Sequence, residues 1–243
     1  MYISYSLWGT NKVYTYGMIE NVLDAKKYYD GWTVRVHYND TVPTEIIEWL
    51  SDQDNVELIH HQGSKMKASN MFWRFEDFFM EDTTVLIRDA DSRITEREVG
   101  FVNQWLSSSK DFHIIRDNKD HTVPILGGTS GCRNNCLKYI GILNGNRNVN
   151  APPMNFIKGV DLMNNFRYNS PDGYNVDQMF LFQFVYPYIV GNSMIHCVYD
   201  REPFAIKTDA LETGFIGEII YDCKRASEIM GDTTTSFKRE GTY

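Results

Sequence analysis

Cysteine is scarce in this sequence, and long apolar runs are missing. Four cysteines among 243 residues are too few for a disulfide framework, so we expect reduced thiols. Cys132 and Cys136 have a loosely metal-like spacing but no matching second pair, which argues against a zinc site there. No stretch approaches 18 apolar residues, and polar residues interrupt the amino-terminal segment where a secretory signal would be apolar. We therefore expect a cytoplasmic protein without a membrane span.

Positive charge is also in short supply. The net charge is −8, whereas a general nucleic-acid binder needs a basic surface to displace counterions. An acidic protein can still bind an anionic ligand if local arginines or a metal ion reverse the field. The glycine signatures of phosphate loops and dinucleotide sites are absent, and Ser130 lies in "TSG" rather than in a hydrolase nucleophile elbow. The sequence thus argues against nucleic-acid binders and serine hydrolases.

What the sequence does contain is an alternation of strand-like and helix-like segments. Strand patterns occur in "YISYSLW", "WTVRVHY", "NVELIHH", "TTVLI" and "FHIIR". Between them lie helical patterns in "GMIENVLDAKKYY", "PTEIIEWL" and the aromatic "SNMFWRFEDFFM", and Thr95 with Glu98 forms a capping box for a further helix. This order predicts an α/β fold with a mixed, mostly parallel central sheet flanked by helices.

The sequence "TTVLIRDADSR" ends one of these strands in two aspartates, Asp89 and Asp91. Chance alone gives roughly one Asp-x-Asp in a chain of this length, and Asp52 and Asp54 are a second copy. That second copy precedes a strand, which indicates a surface turn. Asp89 and Asp91 follow a strand, at the sheet edge where open α/β sheets bind ligands. They are therefore candidate ligands for Mn²⁺ or Mg²⁺, with the flanking Arg88 and Arg93 available to phosphates.

The chain resembles a known family, the GT-A glycosyltransferases, and among them the small soluble enzymes of large DNA viruses of algae and their bacterial relatives. The likeness is carried by "YSLWG", "MFWRF", "RDADSR", "PILGGTSGCR", "DQMFL" and "EPF". It implies a Rossmann-like GT-A catalytic domain over residues 1–231. Residues 1 to about 116 would form the nucleotide-binding half and about 117–231 the sugar and acceptor half, with a polar, frayed tail at 232–243. For a viral protein, the location would be the host cytoplasm.

In the first half, the resemblance implies that the end of the first strand holds the base and ribose of a nucleotide. A packed strand end with core aromatics explains the same residues equally well. Arg74 lies among aromatic residues, where an unpaired guanidinium is costly, so it needs Asp89 and Asp91 or a diphosphate as its partner. The implied nucleotide-binding residues are Ser6, Leu7, Trp8, Gly9, Tyr14 (or Tyr16), Arg74, Asp89, Ala90, Asp91 and Lys207.

In the second half, the resemblance implies that Asp117 holds donor-sugar hydroxyls. Asp177 would orient donor or acceptor, and Gln178 would stabilise charge at the anomeric carbon, although helix-terminal acids are also favoured by the helix dipole. His196 would be a third metal ligand, with a structural histidine as the alternative. Gly127 and Gly128 fit either a sugar-facing wall or a plain turn, and His121 is left unassigned. The chain lacks the His-x-x-Gly-x-x-Lys-Pro-Trp ending of glycogenin-like enzymes.

The resulting hypothesis is a metal-dependent transferase that moves a sugar from a nucleotide diphosphate, with UDP and Mn²⁺ favoured, to a saccharide acceptor with retention of configuration. One alternative is a sugar-phosphate nucleotidyltransferase, which would need a glycine-rich basic loop where this chain has "WGTNKVYTYG". Another is a non-catalytic carbohydrate-binding protein, which would explain the aromatics but not the placed carboxylates.

Overall fold

A computed structural model of the chain describes residues 1–63, 67–142 and 155–238. The strands are β1 (Tyr2–Leu7), β2 (Thr33–Tyr38), β3 (Val56–His60), β4 (Thr84–Arg88), β5 (Phe112–Arg116), β6 (Thr129–Arg133), β7 (Tyr139–Ile142), β8 (Asn155–Lys158), β9 (Ser193–Cys197) and β10 (Ile206–Lys207). The α-helices are α1 (Lys12–Tyr28), α2 (Thr44–Ser51), α3 (Glu96–Leu106), α4 (Gly159–Asn169), α5 (Val176–Phe180), α6 (Tyr186–Ile189) and α7 (Lys224–Met230). A 3₁₀ helix covers Ala68–Phe79, and a π-helical turn (Leu181–Val185) joins α5 to α6.

The large sheet has eight strands in the order β10-β9-β5-β6-β4-β1-β2-β3. All neighbouring pairs are parallel except the two that involve β6, which runs antiparallel to both β4 and β5. β7 and β8 form a separate two-stranded sheet. The predicted α/β class with a mixed, mostly parallel sheet flanked by helices is confirmed. The reversed strand β6 brings residues 127–129 beside the end of β4.

Helices cover both faces of this sheet, and each face has its own apolar core. Side chains of β4 alternate between the two cores. Leu86 packs on one face with α1, α2 and α3, whereas Val85 and Ile87 pack on the other face with the 3₁₀ helix and α5. The buried, nearly continuous apolar character of β4 is therefore what a central parallel strand requires. Within the described residues, none of the helices combines the length and the apolar character that a bilayer crossing requires.

The aromatic segment predicted as a helix at residues 69–80 is helical but has 3₁₀ geometry. Phe72, Phe75 and Phe78 follow one another at intervals of three and are all buried. A helix with three residues per turn places such residues on one face, whereas an α-helix would rotate them progressively away from the sheet. The spacing of the aromatics thus explains the tighter helix.

The start of α3 agrees with the predicted capping box in only one of its two hydrogen bonds. Thr95 is the N-cap and its Oγ1 accepts from the Glu98 backbone N–H at 3.2 Å. The Glu98 carboxylate instead accepts from Arg88 Nε at 2.9 Å and from the Tyr29 hydroxyl at 3.0 Å. Arg88 is fully enclosed with this partner, so the arginine before Asp89 belongs to the core. The hypothesis that Arg88 contacts phosphate is wrong.

The carboxyl-terminal segment predicted to fray is held against α1 as far as it is described. Lys12 pairs with Asp232, and the ring of Phe237 packs edge-on against Tyr16 at 5.3 Å. The Cys223 N–H also donates to the Thr235 carbonyl at 2.7 Å. Residues 239–243 of the predicted tail lie outside the described residues.

Candidate active site

A cavity of about 780 Å³ opens at the carboxyl ends of β1 and β4, between the two halves of the chain. The start of β6 and the start of α5 form its opposite wall. This is the edge of an open α/β sheet at which ligands bind. The sequence-predicted residues that line it are Ser6, Trp8, Gly9, Tyr14, Arg74, Asp89, Ala90, Asp91, Asp177 and Gln178.

The structure places the two Asp-x-Asp copies in different environments. Asp89 and Asp91 directly follow β4, and both line the cavity. Asp91 is buried, while the Asp89 side chain is 41% exposed. Asp54 lies between α2 and β3 with its side chain 87% exposed and pairs with Lys26 at 2.8 Å. The position after a strand, rather than the spacing, distinguishes the cavity pair from the surface pair.

Arg74 connects the two carboxylates on opposite walls of the cavity. Its guanidinium pairs with Asp89 from the first half and with Asp177 from the second, the latter at 3.1 Å. Burial lowers the pKa of Arg74, but the two carboxylates more than offset that effect and raise it. Nε is enclosed without a hydrogen-bond partner among the described residues. Arg74 is therefore a fixed positive charge at the wall of the cavity.

Two glycines at the start of β6 allow this wall to approach the carboxylates. A Cβ on Gly128 would lie 1.8 Å from Asp89 Oδ2, and one on Gly127 would lie 2.8 Å from an Arg74 guanidinium nitrogen. With Asp89 and Arg74 in their present positions, neither glycine has room for a Cβ. Of the two proposed explanations for this pair, a wall at the site and a plain turn, the contacts favour the wall.

Asp177 and Gln178 occupy the first turn of α5, which begins just after the left-handed residue Asn175 (φ 66°). Burial raises the pKa of Asp177; Arg74 opposes that rise and Asp89 adds to it. Gln178 Oε1 accepts from the Gly127 backbone N–H at 3.2 Å. Asp177 is thus tied to Arg74, and Gln178 to the glycine wall.

The end of β1 forms the side of the cavity away from Asp177. Gly9 has a left-handed backbone (φ 75°), and its N–H donates to Thr41 Oγ1 at 2.7 Å. Trp8 packs edge-on against Trp73 with centroids 6.3 Å apart, and Tyr14 lines the same region from α1. Leu7 points the other way, into the core under α1, because strand side chains alternate. Its predicted contact with nucleotide is wrong at the level of the side chain.

The structure does not bring Asp117 into the cavity. Its carboxylate accepts a bidentate pair from Arg97, with contacts of 2.7 to 3.1 Å, and the Ile216 N–H at 3.1 Å. The group is fully buried and joins β5 to α3 and the carboxyl-terminal segment. Its oxygens are occupied by protein donors, so the predicted contact with sugar hydroxyls is corrected to a structural role.

His196 and Lys207 also lie away from the carboxylates. The His196 ring stacks on Phe101, with hydrogen bonds of 3.0 Å to His113 and to Gln104. Lys207 is on the edge strand β10 and pairs with Asp200 at 2.9 Å. Both His196 nitrogens have protein partners, and Lys207 is paired outside the cavity lining. These contacts do not support the predicted metal ligand or the predicted phosphate contact.

Arg93, the other arginine beside the Asp-x-Asp, serves the chain itself. Its guanidinium donates to the carbonyls of Ser92 at 2.8 Å and Asp222 at 3.1 Å. It therefore fixes the segment leading to α7 against the end of β4. The hypothesis that Arg93 binds phosphate is not supported by these contacts.

Asp120 and His121 line the cavity, and the sequence hypothesis did not include them. His121 Nδ1 accepts from the Asp117 N–H at 3.1 Å, which assigns the ring proton to Nε2. Burial lowers the pKa of His121, although nearby aspartates oppose that effect. The ring is therefore a neutral N–H donor at the cavity wall. Asp120 and His121 could have been predicted from their position shortly after β5, because Asp89 was identified by the same kind of position after β4.

Acidic side chains outnumber basic ones in the lining of the cavity. Four carboxylates line it (Asp89, Asp91, Asp120 and Asp177), and Arg74 is the only lysine or arginine among the described lining residues. An excess of carboxylates repels an anionic ligand. A cation is the natural complement of this surface.

No protein-family model matches the chain, and no curated protein is similar enough in sequence to count as a relative. One solved structure of similar shape is described as a glucose-1-phosphate thymidylyltransferase from Bacillus anthracis in complex with a sucrose. It is 9% identical over 80% of this chain and 86% of that chain, with a TM-score of 0.43. Another is a 4-diphosphocytidyl-2C-methyl-D-erythritolsynthase from Anaerococcus prevotii, 13% identical over 95% of each chain, with a TM-score of 0.39. Similarity at this level supplies no argument about function, which has to come from the side chains.

Proposed function

We propose that this protein is a metal-dependent glycosyltransferase that moves a sugar from a nucleotide diphosphate donor, UDP-sugar favoured, to a saccharide hydroxyl. The observation that carries the proposal is that four carboxylates and a single guanidinium line one cavity, with two of the carboxylates directly after β4. A diphosphate would be repelled from this surface unless a divalent cation joined the two.

The residues present fit such a cation. Asp89 and Asp91 offer hard carboxylate oxygens, which Mn²⁺ and Mg²⁺ accept together with phosphate oxygens. Asp89 Oδ1 is engaged by Arg74, whereas Oδ2 faces the space that the missing side chain of Gly128 leaves. When bound, the metal would neutralise charge on the departing diphosphate.

Side chains of the protein would bind the diphosphate and the base and stabilise the charge that develops during transfer. Arg74 and the Nε2–H of His121 would donate to diphosphate oxygens, and Trp8 and Tyr14 would offer aromatic faces to the base. Gln178 Oε1 accepts one hydrogen bond from Gly127 and retains a lone pair. That lone pair would face positive charge developing at the anomeric carbon as its bond to the diphosphate breaks and the bond to the acceptor oxygen forms.

Asp177 acts in this scheme by positioning. Its buried carboxylate holds Arg74, which in turn holds Asp89. The acceptor would enter past exposed apolar side chains at the rim from the second half of the chain, Tyr174, Met179 and Phe182. This division supports treating residues 1 to about 116 as the nucleotide half and about 117–231 as the sugar and acceptor half of one domain.

The nucleotidyltransferase alternative needs positive charge to receive a triphosphate. The segment after β1 is four residues long before α1 begins, and its nearest cation, Lys12, pairs with Asp232. Arg74 is the only described lysine or arginine that lines the cavity. These features favour sugar transfer over nucleotidyl transfer. A sugar-binding protein without catalysis would account for the exposed aromatic rim but not for this excess of carboxylates, because a neutral sugar does not need it.

A screen of nucleotide sugars should therefore give one donor whose free nucleotide appears only with Mn²⁺ or Mg²⁺, and faster with a saccharide acceptor. Release of pyrophosphate from a nucleoside triphosphate and a sugar phosphate would instead identify the nucleotidyltransferase. The position of Asp177 and Gln178 leads us to expect retention. Proton NMR of the first-formed product should show the donor's anomeric configuration, and the opposite configuration would refute that assignment.

A further inference from the structure

A second group of metal-type side chains lies at the carboxyl ends of β2 and β3, outside the proposed active site. His37 is in β2, His61 follows β3, and Glu76 belongs to the 3₁₀ helix that crosses them. Each offers one ligand atom, and these atoms all lie within 4.8 Å of one another. None of the three is among the residues lining the sugar-transfer cavity.

His37 Nδ1 and His61 Nε2 lie 3.0 Å apart and share a hydrogen bond. Two nitrogens on a tetrahedral zinc ion are about 3.3 Å apart, so this pair has to separate by only a few tenths of an ångström for a metal ion to replace the shared proton. Glu76 Oε2 lies 4.0 Å from His61 Nε2, while the other oxygen faces Arg167 at 3.6 Å. One carboxylate oxygen is thus directed toward the histidine pair.

Asp77 supplies the orientation that metal-binding histidines usually have. Its Oδ2 is 3.2 Å from His37 Nε2, and its Oδ1 accepts from Arg35 at 2.9 Å. Because Asp77 is buried and held by Arg35, it fixes the His37 proton on Nε2 and leaves the Nδ1 lone pair directed at His61. A carboxylate behind a ligating histidine is the arrangement that sets the tautomer in zinc sites.

We propose that His37 Nδ1, His61 Nε2 and Glu76 Oε2 bind one Zn²⁺, with a fourth position open to the adjoining groove. Two imidazoles and one carboxylate suit zinc, whereas Mg²⁺ and Mn²⁺ prefer oxygen ligands. The groove has a volume of about 860 Å³ and is lined by Asn39, Trp73 and Arg167 among others. Stacking of His61 on Trp73, with centroids 4.5 Å apart, keeps the ring in place with or without the metal.

The chain provides a matched control next to the site. His60 precedes His61 but is exposed and pairs with Asp40 at 2.6 Å. The test variants are His61→Phe, which keeps an aromatic ring on Trp73, and Glu76→Gln, which keeps the shape of the carboxylate. Far-ultraviolet circular dichroism establishes that each is folded. If His61→Phe does not fold, Glu76→Gln decides.

Equilibrium dialysis against ZnCl₂, with MnCl₂ in excess to occupy Asp89 and Asp91, should give one more tight equivalent in the parent than in either variant. His60→Ala should match the parent. Zinc held by the thiols of Cys132 and Cys136 would be common to all four proteins and so cancels. Asp77→Asn should weaken the extra site by about 10- to 100-fold, the usual effect of losing such a partner. Equal zinc content in the parent, His61→Phe and Glu76→Gln would overturn the proposal, whatever the outcome for sugar transfer.

Discussion

Replacing Asp91 with Asn should reduce sugar transfer by at least about 100-fold, the order of effect seen when one electrostatic contact to a transition state is lost. Asparagine nearly preserves the shape of the side chain but removes its charge, so the donor should also bind poorly in Mn²⁺. The melting temperature should not fall, because one charge leaves a cavity lined by four carboxylates. Activity assays and thermal melts beside the parent would check both results.

Asp54→Asn is the control for that experiment, with the same exchange in the same Asp-x-Asp spacing. Asp54 is exposed and its ion pair with Lys26 is a surface contact, so the exchange should leave both stability and activity nearly unchanged. Normal activity in Asp91→Asn, or equal losses in the two variants, would show that the strand-end position had identified the wrong aspartates.

Replacing Gly128 with Ala should disable the proposed site although no charged residue is substituted. The new Cβ would lie 1.8 Å from Asp89 Oδ2 and 2.4 Å from its Cγ, so the carboxylate has to swing away. We expect Mn²⁺-dependent donor affinity to fall by at least about 10-fold, which corresponds to 1.4 kcal/mol. Overpacking should cost about 1 to 3 kcal/mol of folding stability. Isothermal titration and chemical denaturation measure the two effects separately.

Gly173→Ala is the matched control, because a Cβ there meets nothing within 4 Å and the residue precedes Tyr174 at the rim of the cavity. Its donor affinity and stability should stay within about 0.5 kcal/mol of the parent. If Gly128→Ala were to bind the donor as well as the parent does, Asp89 would not have to hold its present position for binding.

The sequence was sufficient to predict the α/β class and the sheet edge at which the cavity opens, because both follow from local patterns. Strand periodicity located β1 to β5, and Asp89 and Asp91 follow β4 at that edge. The 3₁₀ geometry of residues 68–79 could also have been predicted, since Phe72, Phe75 and Phe78 recur every three residues.

The errors arose where a side chain's partner is distant in the chain. Asp117 and Arg97 are separated by 20 residues, and His196 and His113 by 83. No local sequence pattern predicts either pairing. A charged or imidazole group at a strand end looks the same in sequence whether it meets a ligand or a protein donor. Only the packing of α3 on β5 and β9 decides that Asp117 and His196 serve the fold.

The reversed strand β6 was likewise outside the reach of periodicity. Strand direction depends on which neighbours a strand finds, and β6 inserts between β4 and β5. This insertion brings Gly128 to Asp89 and Gly127 to Gln178, and with them the second half of the cavity. The importance of the glycine pair therefore became apparent only from the fold.

The central claim is that Asp89 and Asp91 bind a metal ion through which a nucleotide diphosphate is held. Calorimetric titration of UDP into the parent protein, once with Mn²⁺ and once with a chelator, tests it most directly. We predict a single binding site in Mn²⁺ and an affinity at least about 10-fold weaker in chelator, a difference of 1.4 kcal/mol or more. Equal binding of UDP in the two titrations, or no binding in either, would contradict the claim.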